Sequence, residues 1–94
     1  MVPKGRPPNR LKKFRLIHRY SQLSLARKLG MKKSNLISEW EKGTIIPSLD
    51  NLLKLCVIYN TLIEELYFER LQMHRSLIIP SSQQVRIINE NQKT

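Results

Sequence analysis

Eleven lysines and arginines lie between Met1 and Ser38 (Lys4, Arg6, Arg10, Lys12, Lys13, Arg15, Arg19, Arg27, Lys28, Lys32 and Lys33), with no aspartate or glutamate among them. The remaining residues carry a net charge of −1, so the chain's +10 originates in its first 38 residues. A net positive charge confined to one segment suits a polyanion, because neutralising backbone phosphates releases condensed counterions and drives binding. A merely soluble basic surface is the alternative. Overlapping this segment, Gln22 to Gly43 reads as a short helix, a bend at Gly30, and a second helix whose exposed face is polar and amide-bearing. Two short helices joined this tightly form a unit that places its second helix in the DNA major groove.

Residue types for covalent or metal chemistry are sparse. His18 lies beside basic neighbours, His74 is distant from it, and Cys56 falls on an apolar helix face, where a thiol acts as a small hydrophobe. The two histidines offer no metal-ligand spacing, and no phosphate-cradling glycine loop or nucleophile–base pair occurs. No enzyme activity, cofactor or metal is expected. A lone cysteine excludes an internal disulfide and fits a reducing cytoplasm. No apolar run is long enough to span a membrane, and the N-terminus lacks the apolar stretch of a signal peptide.

The elements that must position these residues follow from local signals. Ninety-four residues allow one domain with a modest core, which makes oligomerisation worth expecting. Residues 1–8 hold three prolines and a glycine and read as a flexible basic arm. A first helix runs from an Asn9 cap to about Tyr20, with Leu11, Phe14, Leu16, Ile17 and Tyr20 as its buried stripe. Ser21 caps a second helix, Gln22 to Leu29, that turns Leu25, Ala26 and Leu29 inward and ends at a left-handed Gly30. The third begins at Lys33 or Ser34, buries Ile37 and Trp40, and ends at Gly43. Ser48 caps a fourth, Leu49 to Tyr59, with Asp50 suited to the helix dipole. Thr61 or Asn60 caps a fifth from Leu62 through Phe68, with continuation to about Arg75 open and Pro80 as its limit. Ser81 to Gln84 has linker composition, and Val85 to Ile88 is short and strand-prone.

Taken in order, Arg15, Ser21-Gln22, Leu25-Ala26, Gly30, Ile37-Ser38, Glu41-Lys42-Gly43, Pro47-Ser48, Leu52, Leu55-Cys56, Tyr59 and Glu65-Leu66-Tyr67 resemble the helix-turn-helix domains of the lambdoid phage repressor and Cro type, the XRE family. The resemblance covers about Arg10 to Tyr67. It implies an all-α, five-helix DNA-binding domain over residues 9–68, here with a basic arm before it and a C-terminal extension over 69–94. It also implies a homodimer on two half-sites of operator DNA about one helical turn apart.

Between Gly30 and Gly43 this chain has one residue more than the family pattern. Matching from the C-terminal side puts the extra residue among Met31, Lys32 and Lys33, with Lys33 at the N-cap of the recognition helix. That match places Ser34, Asn35 and Glu39 at the family's base-facing positions. Their chemistry is apt, since asparagine can bond adenine bidentately, glutamate can accept from cytosine, and serine can serve several bases. Gln22 matches the glutamine that bonds a phosphate and braces the recognition helix, and Lys32 and Lys33 are expected on backbone phosphates. Arg15 and Glu41 match a structural ion pair between the first helix and the end of the third. Trp40 is read as core.

Separately, Lys4-Gly5-Arg6-Pro7 resembles the Gly-Arg-Pro centre of an AT-hook, which implies insertion of Arg6 into a narrow A·T minor groove. A disordered basic tail is the other reading of the arm. Val57, Ile58, Ile45 and Ile46 exceed what one core stripe needs, and with Leu71, Leu77, Ile78 and Ile79 they suggest a dimer or partner surface. The preferred function is a sequence-specific double-stranded-DNA-binding repressor. An antitoxin that binds a protein partner through its C-terminal extension, and an accessory subunit that recruits an enzyme to DNA, stay open as alternatives.

Overall fold

The computed structural model describes residues 7–79, so Lys4, Arg6 and the segment Val85 to Ile88 lie outside the described residues. Six helices form: α1 (Leu11–Ile17), α2 (Gln22–Lys28), α3 (Asn35–Lys42), α4 (Leu49–Tyr59), α5 (Ile63–Leu66) and α6 (Phe68–Ile78). The fold is all-α, with no strand among the described residues. Its core is Leu11, Leu25, Ala26, Ile37, Trp40, Leu55, Tyr59 and Leu66, at least one residue from each of the first five helices. Each large apolar side chain buried this way contributes about 1.5–3 kcal/mol. Ala26, wholly buried, lets α2 and α3 approach closely.

Local capping explains most boundaries. The Ser21 hydroxyl accepts from Ser24 N at 3.0 Å, and the Ser24 hydroxyl returns a bond to the Ser21 carbonyl at 3.1 Å. Beyond α2, Gly30 takes a positive φ of 80°, and Met31 N donates back to Ala26 O. Ser48 accepts from Asn51 N at 3.2 Å, and α4 ends where Asn60 turns left-handed.

Several expectations need correction, the first being the N-cap of α1, which is Arg10 and not Asn9. Leu16 and Ile17 are exposed rather than buried, because α1 ends at Ile17 and Arg19 turns left-handed, so the inward face belongs to Leu11 and Arg15. Half-buried Tyr20 packs on the core from the loop. The N-cap of α3 is Ser34, one residue later than Lys33. Here Met31 packs against the core, and Lys32 and Lys33 complete the turn before the helix begins.

The segment read as one fifth helix is two, broken at Tyr67. Its start is capped by neither Thr61 nor Asn60, since the N-cap is Leu62, which makes no side-chain bond. The break has a tertiary cause: the carbonyl of fully buried Leu66 turns to accept from Arg10 N at 2.8 Å. Arg10 also bonds both Glu69 carboxylate oxygens through Nε at 3.1 Å, with its guanidinium 4.6 Å from the Phe68 ring centre. These contacts hold the start of α6 against α1. No residue of α6 is buried, and Leu77 and Ile78 at its end are exposed.

Candidate nucleic-acid interface

Helices α2 and α3 flank a turn of six residues, 29–34, long enough to take up the extra residue. Ile37 and Trp40 fix one side of α3 in the core, at 1% and 2% exposure. The opposite side carries Asn35, Ser38, Glu39 and Lys42, at the three- and four-residue spacings that share a helix face. Asn35 and Lys42 are exposed, while Ser38 and Glu39 are half-buried. Ser34 sits at the N-cap position with its hydroxyl in no cap bond. Its neighbours Lys32 and Lys33 are exposed in the turn.

Sequence reasoning did not single out Ser38 or Lys42 for this face, although their spacing from Asn35 was readable. Leu36, 40% exposed, adds an apolar contact point beside Asn35.

Beneath the face lies a buried polar cluster. Arg15 Nε and Nη2 donate to the two Glu41 carboxylate oxygens at 2.6 and 3.1 Å, and the side chains are 8% and 7% exposed. Arg15 Nη1 also donates to Tyr20 O at 2.9 Å. Hydrogen bonding to Glu41 raises the Arg15 pKa above its ordinary value, although burial opposes the rise. Gln22 Nε2 donates to Glu41 Oε1 at 3.1 Å, so the first residue of α2 is tied to the last turn of α3 through the same carboxylate. The family resemblance implies both the Arg15–Glu41 pair and a Gln22 brace on the recognition helix; that the two meet at one carboxylate was not read from the sequence.

The Tyr59 hydroxyl lies buried with no hydrogen-bond partner. Burial pushes its pKa up, and the Glu41 charge adds to the rise.

Cationic side chains at Lys12, Lys13, Arg19, Arg27, Lys28, Lys32 and Lys33 are exposed, whereas Arg10 and Arg15 are held by carboxylates. The +11 of the first 38 residues therefore overstates what is free to meet phosphate. Among the described residues no cluster of histidine, cysteine, aspartate or glutamate could hold a metal ion, and no helix is long and apolar enough to cross a membrane.

A family profile described as helix-turn-helix matches residues 11–66, more than half of the chain. An uncharacterized HTH-type transcriptional regulator of Methanocaldococcus jannaschii is 36% identical over 59 residues, spanning 63% of this chain and 88% of that protein. No solved structure matches the chain. The matched stretch runs from the start of α1 to the end of α5 and contains the tight pair α2–α3, and the chain belongs to the XRE-type helix-turn-helix family of DNA-binding regulators.

Proposed function

We propose that the protein is a sequence-specific repressor that reads the major groove of double-stranded DNA with the outer face of α3. The observation that carries this reading is the pairing of Asn35 with Glu39, four residues apart on the side of α3 opposite Ile37 and Trp40. Neither side chain makes a hydrogen bond among the described residues. Base edges in the major groove present the donor and acceptor pairs that an amide and a carboxylate can discriminate. Ser34 joins them at the N-terminus of α3, while Lys32, Lys33 and Gln22 bind phosphates and set the register. Gln22 uses one amide hydrogen on Glu41 and keeps a second for a phosphate oxygen. Arg6 extends the contacts into an adjoining minor groove.

The protein acts as a homodimer in this reading, which is supported by Leu49, Leu53 and Val57, exposed at four-residue intervals along α4. Leu53 and Val57 line an open apolar groove with Leu29 and Ile58, edged by Lys28 and Lys54. Occupying promoter DNA is then sufficient to repress. The antitoxin reading draws support from the exposed Leu77 and Ile78, and truncation after Phe68 discriminates it, because an antitoxin would lose its protein partner. Selection of bound sequences from a random duplex pool tests the main reading. A palindromic consensus is expected, and salt-sensitive binding with no consensus would overturn it.

A further inference from the structure

Helix α4 carries only two charged residues, Asp50 and Lys54, and both are exposed. They lie four residues apart and so share one flank of the helix. Neither enters an ion pair among the described residues. Beside that flank runs the apolar stripe of Leu49, Leu53 and Val57, at 65%, 49% and 80% exposure, facing away from the buried Leu55 and Tyr59. The stripe is symmetric about its middle residue, since Leu49 and Val57 each lie four residues, about 6 Å along the axis, from Leu53. A two-fold axis through Leu53, perpendicular to the helix, therefore sets Leu53 against itself and Leu49 against Val57 of a second copy. The same axis turns the charged flank onto itself with its direction reversed, so that Asp50 faces Lys54 of the second copy and Lys54 faces its Asp50. An axis along the helix would give parallel α4 helices and bring the charged flank to the other flank of the second copy, where α4 has no charge to meet it. Lys28 stands with Lys54 at the edge of the groove, and Asp50 is the only carboxylate that α4 can bring to them.

We infer that two copies of the chain associate by antiparallel packing of α4 on α4, centred on Leu53 and clasped by two reciprocal Asp50–Lys54 pairs. This deepens the homodimer reading above and rests on it. Burial of the stripe supplies the affinity. The ion pairs set direction and register, because exposed pairs add little affinity of their own while like charges face to face oppose the wrong alignments.

The test uses the full chain, and sedimentation equilibrium of the native protein should show a dimer. Asp50→Lys sets lysine against lysine at both ends of the contact, and Lys54→Asp sets aspartate against aspartate; each should weaken dimerisation about 10-fold. The double reversal recreates both pairs and should return to within about 3-fold of the native constant. Self-linkage locates the axis independently. In a Cys56→Ala background, mild oxidation should join Leu53→Cys to its own copy. Leu49→Cys and Val57→Cys would each lie about 12 Å from their own copies along the axis, beyond the roughly 7 Å that a disulfide spans between Cα atoms, and should not self-link. Leu49, Asp50, Leu53, Lys54 and Val57 are all exposed, so the fold should tolerate each change. A double reversal no tighter than the single ones would overturn the register, as would no linkage at Leu53→Cys, or linkage equally ready at Leu49→Cys or Val57→Cys. A monomeric native chain would instead overturn the homodimer reading itself, so the two failures are distinct.

Discussion

Removing Arg15 alone should nearly unfold the domain, whereas removing Arg15 together with Glu41 should not. In Arg15→Met, Glu41 loses both guanidinium bonds and keeps a single donor among the described residues, Gln22 Nε2, while its side chain is only 7% exposed. Tyr20 O also loses the bond from Nη1. Breaking one side of a buried pair costs about 3–5 kcal/mol, because an uncompensated charge is left out of water. Stabilities of small domains total only about 5–15 kcal/mol, so this is a large fraction. Adding Glu41→Leu removes the stranded charge and returns apolar contact, which in buried pairs is often neutral or stabilising. Lost bonding at Tyr20 O then accounts for about 1 kcal/mol of residual destabilisation.

The assay is urea unfolding of the native chain, both single variants and the double variant, arranged as a double-mutant cycle. A coupling energy above about 2 kcal/mol is expected. An Arg15→Met cost below about 1 kcal/mol would refute the reasoning, as would a double variant as unstable as the single one. The double variant also isolates the brace on Gln22: it should fold, yet bind DNA more weakly, because Gln22 has lost its acceptor.

Tyr59→Phe deletes a buried hydroxyl that has no partner and should stabilise the domain by about 1 kcal/mol, read as a higher urea midpoint. Burial raises the pKa of Tyr59 and Tyr67 in the folded chain, so their contribution is complete below the unfolded value of about 10 and is lost as pH rises through the folded values. Unfolding midpoints at about pH 8 and about pH 11 should show that loss, and it should shrink in Tyr59→Phe. Val57→Lys, at a position 80% exposed, should leave the thermal midpoint unchanged but shift sedimentation equilibrium from dimer to monomer; an unaltered dimer would move the interface elsewhere. Lys32→Ala and Lys33→Ala should each lower the salt slope of DNA binding by about 0.9 without changing base preference.

Where a boundary is set by neighbours in sequence, it was legible. Helix α4 starts and stops where Ser48 and Tyr59 were read, because cap chemistry and the left-handed Asn60 act within a turn of the ends. The polar face of α3 was equally readable, since Asn35 and Glu39 share a side whenever Ile37 and Trp40 are buried. What failed depends on contacts between distant residues. Leu16 and Ile17 fit an amphipathic pattern, but whether they are covered depends on where α1 ends and what lies beyond it. The break at Tyr67 follows from Leu66 O turning to Arg10 N, a bond no local propensity reports. Asn9 reaching Trp40 O is of the same kind, and so is the choice of Glu41 as the acceptor through which Gln22 braces α3. The buried Arg15 was legible only through the family resemblance, because a cation on an apolar stripe reads by itself as a solvent-facing residue.

Base reading by the outer face of α3 is tested most directly by selecting bound duplexes from one random pool with the native chain and with Asn35→Ala in parallel. The native chain should yield a symmetric consensus. The variant should keep that consensus everywhere except at one base pair in each half-site, where preference relaxes by about 1–3 kcal/mol. An unchanged consensus in the variant, or a native chain that binds with strong salt dependence and no consensus, would contradict the account.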